Sequence, residues 1–319
     1  MARLEQLDRP KYAMTTSPLY GIRSRKRLVE VLDWQGSVKA LDGFVEQPDN
    51  YNCFLHEEDG KKPRPVQQPT PKLEALHRRV ARLLLRILPP DYLHSGLRKR
   101  SFVTNAAQHV NGHPAVKLDV HKFYPSTLHS HVCGFFKNQM ACAPDVAGLL
   151  ASLCCVTVNG VRHLPTGSPL SQILAFYSHR QMFDELSAYV AARGGVITVY
   201  VDDITASMEF ASVGDIRAMG RIITRHGLMW HKERFFPRGH SKAITGAIAK
   251  VDHLEAPKKQ HLKYATARDR VDHPSLLVAD QKQAARSAIG LLQCIAQIDE
   301  RQIRVARGMA QKLTAVAGL

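Results

Sequence analysis

Two adjacent acids, Asp202 and Asp203, interrupt a pair of β-rich runs, Val196-Ile197-Thr198-Val199-Tyr200-Val201 and Ile204-Thr205-Ala206-Ser207-Met208. β-Branched and aromatic residues favour strands, so the pattern predicts a hairpin with both acids at its tip. On a regular strand, neighbouring side chains point to opposite faces. A turn relaxes that constraint and lets both carboxylates approach one cation cluster. Two like charges this close raise one pKa unless a metal neutralises them. A third acid lies far upstream, where the apolar run Val116-Lys117-Leu118-Asp119-Val120 leads into Phe123-Tyr124 and is stopped by Pro125. Taken alone, an Asp-Asp pair also describes a solvated turn. Three acids at the ends of apolar strands are not explained by any helix, cap or core requirement. Three carboxylates can hold two Mg²⁺ ions about 3.5–4 Å apart, one activating an attacking hydroxyl and the other steadying a leaving phosphate.

The surrounding elements follow from periodicity. Pro71 to Leu88 carries Leu73, Leu76, Val80, Leu83, Leu84 and Ile87 at helical spacing, and Pro89-Pro90 ends it. Residues 61–69, including Lys62 and Arg64, read as a basic, proline-punctuated strand pair. Residues 132–158 read as helical and then strand-like. Asn159-Gly160 is a hairpin signal. Ser168-Pro169 starts a helix running to about Val190, and Val213 to His226 predicts another. Gly239 to Lys250 reads as a turn and strand. Ala279 to Leu313 is helical, beyond a boundary near Ala256. Near the N-terminus, Arg23-Ser24-Arg25-Lys26-Arg27 adjoins an amphipathic pattern that starts at Leu28. That run fits a solvated helix start as well as an RNA-backbone contact.

The 319 residues carry a formal net charge of +16 and are 45% hydrophobic. This composition supports a sizeable core and excludes a disordered chain. The charge points to a polyanionic partner, most simply nucleic acid. No apolar run has transmembrane length, so no membrane partner is expected, and Met1-Ala2-Arg3-Leu4-Glu5 lacks a signal-peptide core. The six cysteines form no C-x-x-C pair and read as free thiols in a reducing cytoplasm. His109-x-x-x-His113 has the spacing of half a zinc site, but no companion pair completes it.

Tyr200-Val201-Asp202-Asp203, preceded by Leu118-Asp119-Val120-His121-Lys122-Phe123-Tyr124-Pro125-Ser126, resembles the palm of a reverse transcriptase. Leu164-Pro165-Thr166-Gly167-Ser168-Pro169-Leu170-Ser171 resembles that family's template- and nucleotide-contacting loop. Asn105-Ala106-Ala107-Gln108-His109 and Ile244-Thr245-Gly246 resemble the Asn-Ala-x-x-His and Val-Thr-Gly elements of retron-type bacterial reverse transcriptases. The five elements stand in the family's order across roughly residues 60–250. The loop departs from the family at two places, where Thr166 replaces a common glutamine and Gln172 a common proline.

The resemblance implies an α+β right-hand polymerase. Residues 1–114 would form an N-terminal extension and fingers, and 115–253 an antiparallel-sheet palm with a fingers insertion near 127–160. Residues 254–319 would form a helical thumb. Asp119, Asp202 and Asp203 would bind two Mg²⁺ ions with help from the backbone carbonyl of Val120, and Lys232 would stand near the departing pyrophosphate. Arg64, then Lys62, would grip the triphosphate. The Tyr124 ring would lie under the sugar and exclude a 2′-OH. Thr166 and Gly167 would face the nucleotide, Gly167 allowing close backbone approach. Arg98, Lys99, Arg100, Asn105, His109, Thr245 and Gly246 would meet RNA, with His109 alternatively orienting backbone in the fingers.

The implied reaction is copying of a structured noncoding RNA, template and primer, into DNA from dNTPs. The setting would be a retron or related anti-phage defence system, with room for an effector protein. A defence enzyme with protein-primed or de novo initiation, a non-catalytic RNA-binding scaffold and an RNA-dependent RNA polymerase are the rival readings. The three intact acids count against the scaffold, and Tyr124 counts against RNA synthesis.

Overall fold

The computed structural model describes residues 11–57, 60, 62–271, 273 and 277–317. Met1 to Glu5 and Lys61 lie outside these residues. Helices and antiparallel hairpins are interleaved along the chain, as an α+β fold requires. The chain divides into two units. One comprises Met1–Arg98, Asp119–Ala188 and Met219–His231; the other comprises Lys99–Leu118, Tyr189–Ala218 and Lys232–Leu319.

In the first unit, helix Pro71–Leu84 starts with a proline whose fixed φ suits the first turn. It buries Leu73, Leu76, Val80, Leu83 and Leu84 along one face, each contributing about 1.5–3 kcal/mol by burial. The helix ends before Leu88 because the next residues turn their backbone to Tyr12. The Tyr12 N–H donates to the Arg86 carbonyl at 3.0 Å, and the Leu88 N–H to the Tyr12 carbonyl at 2.9 Å. Strand Arg64–Pro69 pairs antiparallel with Tyr51–His56, from His56 opposite Arg64 to Tyr51 opposite Pro69. Its partner strand thus lies upstream of the segment that the sequence pattern marks. Ser24 caps helix Arg25–Leu32. Arg25 in that basic run pairs with Asp42 (3.0 Å) and Asp145 (3.2 Å), holding protein segments together. At Asn159-Gly160 both residues have positive φ, 50° and 77°, and Val158 pairs with Val161 across the turn.

The helix expected from Ser168 to Val190 is two helices, Ser171–Ser178 and Arg180–Ala191. His179, at the break, is nearly fully buried. The Thr127 hydroxyl donates to the Phe123 carbonyl at 2.8 Å, and its oxygen accepts from His179 Nε2 at 3.1 Å. His77 on helix Pro71–Leu84 is likewise enclosed, bonded through Nε2 to the Leu153 carbonyl (2.8 Å) and through Nδ1 to the Ser168 hydroxyl (2.7 Å).

In the second unit the strands alternate sharply. Val196–Tyr200 and Asp203–Ser207 pair antiparallel, with Tyr200 opposite Asp203 and Thr198 opposite Thr205. Ile197, Val199, Ile204 and Ala206 occupy one face; Thr198, Tyr200, Asp203, Thr205 and Ser207 share the other. Within this unit the sheet order is residues 196–200, 203–207, 115–118 and 232–236. A second sheet of Lys242–Ile244, Ala247–Ala249 and Leu254–Glu255 packs against helix Phe102–Ala107 and helix Val278–Ile298, sharing a core of Ala106, Ile244, Ala247, Ala249, Ile295 and Ile298. Thr245-Gly246 is therefore the turn between two short strands, where a single strand was expected. Helices Lys258–Val271, Val278–Ile298 and Ile303–Ala317 close on Ala284, Ala285, Ala288, Leu292, Ala306 and Leu313. Among the described residues, no helix is long and apolar enough to cross a membrane. All six cysteines are unpaired.

Burial holds His77 down to about 4 and His179 down to about 3, against an ordinary value of 6.5. The unfolded chain takes up these protons near pH 6.5 and the folded chain only near pH 4 and 3. The unfolded state therefore binds more protons throughout that window, and stability falls as the solution is acidified. Thermal unfolding between pH 7 and pH 5 should show a slope of up to about 1.4 kcal/mol per pH unit for each histidine. His77→Gln or His179→Asn should flatten it.

Candidate active site and nucleic-acid contacts

The two acids of the hairpin occupy different backbone settings. The turn is Val201-Asp202, and Asp203 is the first residue of the returning strand. Val201 has φ 62°. A β-branched residue in the left-handed region costs about 1–2 kcal/mol, and such strain concentrates at turns and working sites. Asp203 Oδ1 lies 3.0 Å from Lys117 Nζ, in an ion pair whose side chains are 17% and 22% exposed. Asp119, 8% exposed, accepts a hydrogen bond at Oδ1 from His231 Nε2. The His121 ring stands edge-on to His231, centroids 4.9 Å apart at 81°. The His121 N–H donates to the Met229 carbonyl at 2.8 Å, fastening the end of the Asp119 strand.

Among the described residues, no three His, Cys, Asp or Glu side chains are gathered as a metal ion would need. The donor chemistry of Asp119, Asp202 and Asp203 does fit a hard divalent cation, because carboxylate oxygens are what such ions take. Two of these acids already face a donor, Lys117 or His231. Val120 follows Asp119 with its side chain fully buried. Lys232 is exposed, on strand Trp230–Phe236, with φ 53°.

The nucleotide-loop candidates meet the strand of Arg64. The Thr166 N–H donates to Gln67 Oε1 (3.1 Å), and the Thr166 hydroxyl reaches the Pro65 carbonyl (2.9 Å). The Gly167 N–H donates to the Gln67 carbonyl at 3.1 Å. A Cβ on Gly167 would stand 2.8 Å from that carbonyl oxygen and 2.9 Å from a Val66 methyl. Gly167 thus permits close approach to the protein's own strand. Lys62 and Arg64 are exposed. Tyr124 is half-buried beside the buried Phe123, rings 6.0 Å apart and inclined at 30°.

The residues expected to meet RNA fall into two groups. Arg98 and Lys99 are exposed, Arg100 is half-buried, and Gly246 lies exposed in its turn with φ 97°. Asn105 (1% exposed) and His109 (0%) are enclosed. Asn105 Nδ2 donates to Thr245 Oγ1 at 3.1 Å, and Thr245 Oγ1 donates to the Phe102 carbonyl at 3.2 Å. His109 is hydrogen-bonded to Ser207 Oγ (2.7 Å) and Thr198 Oγ1 (2.8 Å). Lys242 Nζ donates to the carbonyls of His109 and Asn111, both at 2.8 Å. Asn105 and His109, expected to meet RNA, are thus hydrogen-bonded within the protein. Their polar atoms join the Phe102–Ala107 segment to the polar sheet face and to the Lys242–Ala249 hairpin.

The chain is 32% identical over 178 residues to the retron Se72 reverse transcriptase of Salmonella heidelberg, covering 54% of this chain and 45% of that protein. It is 25% identical over 277 residues to the retron Ec86 reverse transcriptase of Escherichia coli, covering 84% and 83%. It is 26% identical over 227 residues to the retron Mx162 reverse transcriptase of Myxococcus xanthus, covering 62% and 47%. The chain is similar to retron reverse transcriptases. It spans about half the length of the Se72 and Mx162 proteins and most of Ec86. No protein-family model matches it.

Three residues that pair with the candidates are not marked by any motif. Lys117 precedes Asp119 by two, so strand alternation puts both on one face and could have marked it. His231 neighbours Lys232, and Gln67 lies between Arg64 and Pro69, but nothing local signals their partners.

His109→Ala would strip Thr198 and Ser207 of a shared buried partner. It should lower stability by about 2–4 kcal/mol in denaturant unfolding. The folded protein should bind RNA in filter assays as tightly as the parent.

Proposed function

We propose that this chain is an RNA-directed DNA polymerase that copies a structured partner RNA into DNA, in a retron or related defence system. The observation that carries the reading is the Tyr200-Val201-Asp202-Asp203 turn. It holds one acid in a strained two-residue loop and the next on the polar face of the sheet, in a chain similar to retron reverse transcriptases. Lys117, two residues before Asp119 in the chain, is ion-paired with Asp203, which supports the proposed grouping of the three acids. In this reading residues 1–114 are the N-terminal extension and fingers, 115–253 the palm with a fingers insertion near 127–160, and 254–319 the thumb.

Asp119, Asp202 and Asp203, with the Val120 carbonyl, would hold two Mg²⁺ ions. When bound, these ions would activate the primer 3′-hydroxyl and neutralise charge on the phosphates. The chain's own residues position and exclude. His231 fixes the rotamer of Asp119 through its hydrogen bond, and Lys117 balances Asp203. Arg64 and Lys62 offer cationic donors to the triphosphate, a guanidinium suiting phosphate oxygens in particular. The Tyr124 ring excludes a ribose 2′-OH. Lys232 offers positive charge to the departing pyrophosphate. With a net charge of +16, the chain would hold the RNA–DNA duplex largely through its phosphates.

Asp202→Ala with Asp203→Ala should lower DNA synthesis on a primed RNA template by more than about 10³-fold, and retained synthesis would sink the assignment. Tyr124→Ala should narrow the preference for dNTP over rNTP by about 10–100-fold, read as the ratio of kcat/KM values. Sequencing the nucleic acid that co-purifies from the native host separates the priming routes. RNA joined covalently to complementary DNA supports a retron, whereas DNA joined to protein, or free DNA with bound RNA, replaces the priming step alone.

A further inference from the structure

Thr166 stands where the resemblance leads one to expect a glutamine, and a threonine lacks both the reach and the amide donors of that side chain. The structure brings a carboxamide to the same place from another segment. Gln67, 5% exposed, lies on strand Arg64–Pro69 and meets the loop at both its side chain and its backbone. Its Oε1 accepts from the Thr166 N–H at 3.1 Å, and the Thr166 hydroxyl lies 3.1 Å from the same oxygen. Its carbonyl accepts from the Gly167 N–H at 3.1 Å.

This network fixes the orientation of the amide. A backbone N–H can only donate, so the atom facing Thr166 must be the oxygen, and Nε2 is turned away from the loop. Among the described residues, Nε2 takes no protein partner. Nε2 is not among the sealed, unpartnered polar atoms of the described residues, so this end of the side chain is open to an acceptor that the chain itself does not supply. The strand that carries Gln67 opens with Arg64, and the loop it holds is Thr166-Gly167.

We propose that Gln67 supplies the carboxamide that residue 166 lacks: Oε1 locks the Thr166-Gly167 turn, and Nε2 donates to an acceptor oxygen of the incoming deoxynucleoside triphosphate. The proposal rests on the polymerase reading above. It makes Gln67 a specificity-determining residue whose two ends do separate work, and the two ends can be tested apart. Gln67→Glu keeps an acceptor for Thr166 but replaces the donors with an anionic oxygen. Gln67→Ala removes both ends. Thr166→Gln in the Gln67→Ala background returns a carboxamide from the loop.

The test is dTTP incorporation on poly(rA)·oligo(dT) by the full chain, with melting temperatures recorded in parallel. Gln67→Glu should raise KM for dTTP about tenfold or more, the worth of a hydrogen bond to a charged ligand. Its kcat should stay within about threefold and its melting temperature near that of the parent. Gln67→Ala should raise KM similarly, and adding Thr166→Gln should recover most of it. An unchanged KM in Gln67→Glu would reduce Gln67 to a structural brace and overturn the proposal, as would absence of recovery by Thr166→Gln. If the unaltered protein makes no DNA, the polymerase reading fails by itself. Equilibrium dialysis with labelled dTTP then still decides on Gln67, because equal affinity for the parent and Gln67→Glu overturns it.

Discussion

The two-residue turn between Tyr200 and Asp203 places Val201 in left-handed backbone. Glycine or asparagine would sit there easily; valine does so at a cost. The turn has a consequence that no straight strand could produce. Asp202 is released from the alternation, while Asp203 is committed to the face it shares with Thr205 and Ser207. The register also commits Ile204 and Ala206 to the apolar face with Ile197 and Val199. A slip of one residue would put the acid on the apolar face and the isoleucine on the polar one. Burial of the apolar face therefore fixes where the carboxylate points.

The polar face so created is not left to solvent. His109 takes Ser207 and Thr198 together, and Lys242 takes the His109 and Asn111 carbonyls. Buried hydroxyls and carbonyls without partners would be costly, and this arrangement partners them while anchoring a helix and a second small sheet. Asn105 Nδ2 and Thr245 extend the same scheme, while Asn105 Oδ1 is buried without a hydrogen-bond partner. The Asn-Ala-x-x-His and Ile-Thr-Gly elements thus have a structural role that accounts for their polar character. Arg98, Lys99 and Arg64, by contrast, have exposed cationic side chains.

Charge is handled in the same local way. The chain as a whole is strongly basic, yet Asp203 and Asp119 each have an immediate donor, Lys117 and His231. Pairs this enclosed are screened little by salt, so the acids stay defined in position. In the first unit the Thr166-Gly167 turn is held on the Arg64 strand by backbone and side-chain bonds together, with no room for a Cβ at Gly167.

What the sequence determined by itself was everything governed by neighbouring residues. β-Branched runs marked the Val196–Tyr200 and Asp203–Ser207 strands, apolar spacing marked helices Pro71–Leu84 and Val213–Arg225, and Asn159-Gly160 marked its turn. The order of motifs pointed to retron-type reverse transcriptases, and the comparisons bear that out. Tertiary structure decided the rest. The helix after Leu84 stops for Tyr12, and the one before Arg180 breaks at His179, whose side chain is bonded to Thr127. His109 finds Ser207 98 residues away, Gln67 finds Thr166 99 away, and His231 finds Asp119 112 away. Periodicity reports which side of an element is apolar, because that depends on the element alone. The partner of a polar atom depends on which distant segment arrives opposite it, and only the folded chain settles that.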